Sequence, residues 1–142
     1  MMYGSTGGAS AYARVGLETG VAAASKHRLI EMLFDGAIAS IAQAREAMQA
    51  RDHARKGVAV SRAIDIVDNG LRASLDRSAG ELAARLDELY EYISARLLEG
   101  SAHNDAAPLD DAARLLGELR SAWVGIADAP AAHDVPRAAA YA

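Results

Sequence analysis

The chain has no cysteine, few prolines, few aromatic residues and no long apolar run, and each shortage excludes something. Without cysteine there are no disulfides, no thiolate nucleophile and no Cys-ligated metal, which is consistent with a reducing cytosol. No apolar stretch approaches the ~18 residues of a membrane span, and the glycine-containing start lacks the basic and apolar regions of a signal peptide. Positive charge is in deficit. A net charge of −4 argues against nonspecific binding to nucleic acid or an anionic membrane. The 51% hydrophobic fraction overstates the core, because about a quarter of the 142 residues are alanine and seven are aromatic. Alanine at that density favours helix over strand, and no segment shows strand alternation.

Catalytic patterns are also missing. A carboxylate-bridged di-iron bundle needs Glu-x-x-His pairs, but Ala24, Ala50, Gly100 and Pro130 stand three residues before the four histidines. No Gly-x-Ser-x-Gly elbow, Gly-x-Gly-x-x-Gly turn or phosphate loop occurs. The acidic residues mostly adjoin Arg or Lys on outer helix faces, as solvated charge does. We therefore expect a protein with no catalytic residues, no metal site and no cofactor.

What is present is helical periodicity. Between Ser25 and Ile41 the chain reads as one helix, with Ile30, Leu33, Ala37, Ile41, Ala44 and Met48 on a single stripe. Leu29, Met32, Phe34 and Ile38 fall outside that stripe, so the first half of this helix is apolar around most of its circumference and must be covered from more than one side. Gly36 inside it needs a reason such as close approach of another backbone, since glycine costs a helix about 1 kcal/mol relative to alanine. Ser25 is suited to cap the helix, which the spacing carries to about Ala50. Asp52 then caps another, from about His53 to Leu75. The latter has one seam at Val60, Ile64, Val67, Leu71 and Leu75 and a second, of mostly small residues, at Ala59, Ala63, Ile66, Gly70 and Ala73. A break at 78–81 leads to a helix with Leu82, Leu86, Leu89, Ile93 and Leu97 inward and Tyr90 and Tyr92 on its shoulders. A loop from Gly100 to Pro108 leads to a last helix with Leu109, Ala112, Leu116, Leu119, Trp123 and Ile126 inward.

The expected architecture is all-α: an antiparallel up-and-down four-helix bundle over residues 25–127. An additional N-terminal helical segment, residues 1–24, would dock on it through Tyr12 and Val15, and residues 128–142 would form a flexible tail. His53-Ala-Arg-Lys56-Gly57 is similar to the His-x-x-Lys-Gly of histidine-phosphotransfer bundles, although His53 falls at a helix start, where an exposed histidine is ordinary.

A longer resemblance runs through residues 11 to about 126. Ala11-Tyr12, Val15, Ser25, Leu29-Ile30, Met32-Leu33-Phe34-Asp35-Gly36-Ala37, Lys56-Gly57, Ala63-Ile64-Asp65-Ile66, Asp68-Asn69-Gly70-Leu71, Glu88-Leu89-Tyr90-Glu91-Tyr92, Asn104-Asp105 and Ala122-Trp123, in that order and spacing, resemble the flagellin-specific export chaperone family FliS. The family usually has Ser-Pro and Gly-Gly-Glu at two helix starts, where this chain has Ser25-Lys26 and Ala79-Gly80-Glu81.

The resemblance implies a cytosolic chaperone that binds the disordered C-terminal segment of flagellin, prevents premature polymerisation and assists delivery to the flagellar type III export apparatus. The export gate and an anti-sigma factor are further candidate partners. On that reading Ile30, Leu33, Phe34 and Ile38 would wall one groove, Gly36 would admit the client backbone, and Ile66, Asn69 and Gly70 would continue the groove. Asp35 would cap or accept from the client, and Tyr12 and Val15 would cover the groove when it is empty. Core packing is the competing role, most of all for Leu33, whereas Phe34 and Ile38 lie off the main stripe. Tyr90 and Trp123 read as core or rim aromatics. Two other classes stay open: a phosphotransfer module using His53, and a client-free bundle that satisfies its wide helix with a second copy.

Overall fold

The structure is a computed structural model, and it describes residues 25–127. Its order is α1 (Lys26–Gln49), α2 (His53–Asp65), a π-helical turn (Ile66–Leu71), two short 3-10 turns (Arg72–Ser74 and Arg77–Ala79), α3 (Glu81–His103) and α4 (Ala106–Ala127). Among the described residues there is no strand. α1 packs on α2 and α4, and α3 closes the ring against α4 and the α2–π rod, giving the antiparallel four-helix bundle.

Both helix starts anticipated by capping chemistry are found. The Ser25 hydroxyl accepts from the Arg28 N–H at 3.0 Å, and the Asp52 carboxylate accepts from the Arg55 N–H at 3.1 Å. The link between α1 and α2 is tight because Arg51 takes a left-handed conformation, φ 57°. The Arg51 and Asp52 N–H groups then donate back to the Met48 and Ala47 carbonyls at 3.1 and 2.9 Å, closing the end of α1.

Three expectations need correction. The helix from His53 does not run evenly to Leu75. Its α-helical part ends at Asp65, and the π turn follows, with the Arg72 N–H reaching the Val67 carbonyl five residues back. Gly70 lies in that turn, where an added Cβ would stand 3.1 Å from Leu33 Cδ2, so the absent side chain lets the rod meet α1. On α3, Ile93 and Leu97 of the expected stripe are buried, but in the first half of the helix the core face is Ala83 and Tyr90 instead of Leu82, Leu86 and Leu89. Leu82, Leu86 and Leu89 are only half-buried. Gly100 does not open a loop either: α3 continues to His103, and the connection is just Asn104 and Asp105, with Asn104 left-handed at φ 51°. A Cβ on Gly100 would sit 2.9 Å from the Asp105 carbonyl and 3.0 Å from Leu109, so the hairpin requires glycine there.

Lys56 bolts α2 to this hairpin. It is 7% exposed, and its ammonium donates to the Ser101 carbonyl at 2.9 Å and to the Asn104 side-chain oxygen. A cation at the carboxyl end of α3 also faces the negative end of that helix. Lys56→Met, which keeps the methylenes and removes the donors, is expected to lower the unfolding free energy by about 1–3 kcal/mol, because charge-assisted hydrogen bonds to part-buried acceptors are lost. An unchanged denaturant midpoint would contradict this role.

At the other end of α3, Arg72 Nε donates to Asp87 at 2.7 Å and Arg77 lies 3.0 Å from the same carboxylate. The hydrogen bond from Arg72, reinforced by Arg77, holds the Asp87 carboxyl below its ordinary range. A group with a depressed folded-state pKa stabilises fully above its unfolded value and loses that contribution as pH falls through the folded one. Wild-type melting temperature is therefore expected to drop below about pH 4. Asp87→Asn should show a shallower drop over the same range, and identical pH profiles would refute the link.

Candidate functional site

The expected groove residues divide between core and surface. Ile30, Leu33 and Phe34 are buried, Phe34 with 1% of its surface exposed. Phe34 thus belongs to the core although its spacing puts it off the main stripe. Ile38, Ile66 and Gly36 are half-buried, and Asp35 and Asn69 are exposed. The structure brings several of them together across the α1–π contact. Gly70 faces Leu33, and a Cβ on Gly36 would lie 3.3 Å from Ile66 Cδ1. The space that Gly36 opens is therefore bordered by Ile66. The Asn69 amide donates to Asp65 at 2.7 Å. Asp35 accepts from Arg120 Nε at 2.5 Å, in a network with Glu31 and Arg28 that staples α1 to α4. Tyr12 and Val15 lie outside the described residues.

The leucines turned out of the α3 core face create a feature the periodicity missed. Leu82 and Leu86 of α3 and Leu119, Ala122 and Ile126 of α4 rim an apolar trough of about 80 Å³, floored by Phe34, Tyr90 and Trp123. The rim side chains are half-buried, with Ala122 exposed, so apolar surface remains in contact with water. Trp123 is fixed in place by two contacts. Its indole N–H donates to the His27 carbonyl at 2.9 Å, and its ring stacks on the His27 imidazole with centroids 4.3 Å apart at 11°. No Asp, Glu, His, Lys or Arg side chain lines the trough. Its chemistry is to take up one or two aliphatic side chains on a rigid aromatic floor. Sequence alone held a signal for it, since Leu82-x-x-x-Leu86 and Ala83…Tyr90 are rival inward stripes on one helix and only one can win.

The His53 pattern does not form a phosphotransfer face. His53 is the first residue of α2, and Lys56 is engaged inside the bundle. Among the described residues no three His, Asp or Glu side chains come together as a metal site, and no helix is long and apolar enough to cross a membrane.

The family model for flagellar protein FliS matches residues 8–130, which span the whole helical ring and the trough. The chain belongs to the FliS family. It is similar to the flagellar secretion chaperone FliS of Salmonella typhimurium, 46% identical over 117 residues that cover 82% of this chain and 87% of the relative. It is also similar to the flagellar secretion chaperone FliSB of Pseudomonas aeruginosa, 45% identical over 116 residues, 81% of this chain and 91% of that one. FliS of Escherichia coli follows at 40% over 117 residues, covering 82% and 86%. Family membership places this bundle among export chaperones of flagellum biogenesis.

Proposed function

We propose that this chain is a cytosolic chaperone of flagellin. It captures the disordered C-terminal segment of the newly made subunit, keeps it from polymerising, and passes it to the flagellar type III export apparatus without catalysing any reaction. The observation that carries the reading is the apolar trough between α3 and α4, with its aliphatic rim and aromatic floor. A client segment that becomes helical on binding would seat its apolar anchors there, as helix-in-groove recognition does. The exposed or half-buried part of the α1–π face, Ile38, Ile66 and Asn69, offers a second contact line. Phe34 acts through the floor. The N-terminal segment, by way of Tyr12 and Val15, covers client-binding surface until flagellin displaces it, which lowers apparent affinity and suppresses self-association.

Calorimetric titration with a peptide of the flagellin C-terminal segment, repeated at several temperatures, tests the proposal. Coupled folding that buries on the order of 1,000–3,000 Å² gives a strongly negative heat-capacity change. Absence of binding heat at every temperature would overturn it.

A further inference from the structure

The arginines of the bundle are not distributed evenly with respect to partners. Eight of the eleven described arginines hold a carboxylate at 2.5 to 3.0 Å. The other three, Arg51, Arg55 and Arg62, all lie in the α1–α2 turn and α2. Arg51 and Arg62 have no carboxylate within 4.0 Å among the described residues, and Arg62 donates only to the Gln43 amide oxygen at 3.3 Å. The two carboxylates near Arg55 are loose, Glu46 at 3.5 Å and Asp52 at 3.7 Å, and both sides are exposed. Such pairs contribute little and exchange easily.

In a chain of net charge −4, this is a local surplus of uncommitted positive charge. It borders a built cleft: Arg55 and Arg62 flank an open groove of about 510 Å³ between α1 and α2, whose apolar side is Ala54, Val58 and Ala59. Val58 is 58% exposed, so apolar surface in the cleft is open to water. Seven residues separate the two guanidiniums on one helix, placing their attachment points about 10 Å apart with Val58 between.

We infer that this cleft is a docking site for an acidic peptide segment that presents an aliphatic side chain between two carboxylates one heptad apart. Planar guanidiniums suit carboxylates in bidentate geometry, and the Val58 floor takes the aliphatic side chain. A nucleic acid fits less well, because no aromatic side chain lines the cleft for base stacking. Gln43 and Glu46 lie about three turns along α1 from Phe34. An occupant here and one in the trough therefore do not exclude each other, and the inference stands apart from the flagellin reading.

The test is a titration of the ¹⁵N-labelled full chain with a capped helical peptide about four turns long, carrying glutamates at i and i+7 and leucine at i+4, and with its glutamine counterpart. Saturable shifts at Gln43, Arg55, Val58 and Arg62, weakening about tenfold in the Arg55→Gln/Arg62→Gln double variant and with the glutamine peptide, support the site. Arg85→Gln, which removes a paired surface arginine elsewhere, should leave binding unchanged. The inference is overturned if the peptide does not bind, if the double variant binds equally well, or if a single-stranded oligothymidylate binds these residues more tightly than the peptide.

Discussion

Phe34→Ala is expected to lower the unfolding free energy by about 3–5 kcal/mol, a large fraction of the ~5–15 kcal/mol typical of such a domain. The ring is the only phenylalanine of the chain and is 1% exposed, set among the core side chains of α1 and under the trough. Its loss removes the transfer free energy of a large apolar group and leaves a void that α3 and α4 fill only partly, because Trp123 is held to α1 by its bond to the His27 carbonyl. Chemical denaturation of the purified variant measures the effect. A loss below about 1 kcal/mol would show that the ring packs like a surface residue. Phe34→Lys buries a charge in the same place and is expected to unfold the bundle, so neither variant reports cleanly on a client.

The rim residues report on the client. Leu86→Glu combined with Leu119→Glu is expected to weaken binding of the flagellin C-terminal peptide by more than about 100-fold. Hot-spot anchors are each worth about 2 kcal/mol or more, and a carboxylate facing an apolar client side chain must also be desolvated. Both leucines are half-buried, so the fold survives with a smaller loss than Phe34→Ala produces. Calorimetric titration against wild type checks it. Undiminished affinity in a folded double variant would remove the trough from the mechanism.

Much of the fold was legible in the sequence because helix ends and stripes obey short-range rules. The Ser25 and Asp52 caps, the Leu109, Ala112, Leu116 and Trp123 face of α4 and the wide apolar girth of α1 all follow from spacing and hydrogen-bonding chemistry, whereas Leu119 and Ile126, expected inward, are half-buried on the trough rim. The α3 register was not legible. Leu82, Leu86 and Leu89 are the more hydrophobic stripe, yet Ala83 and Tyr90 are the buried residues, Tyr90 joining Phe34, Val67 and Leu71 in the core cluster. The π turn and the helical Gly100 were hidden for a similar reason. Each depends on a contact distant in sequence, Gly70 with Leu33 and Gly100 with Leu109. The site shared this limit. Single residues such as Ile38 and Ile66 could be proposed from one helix, whereas the trough exists only where three helices meet.

Trp123 gives the most direct test of the central claim, since it is the only tryptophan and lines the trough. Its emission should be followed while a tryptophan-free peptide of the flagellin C-terminal segment is added to the wild type and to Leu86→Glu/Leu119→Glu. The account predicts a saturable change in the wild type, with the same affinity as calorimetry, and no change over that range in the variant. A peptide that binds by calorimetry while Trp123 emission stays flat in the wild type would contradict it.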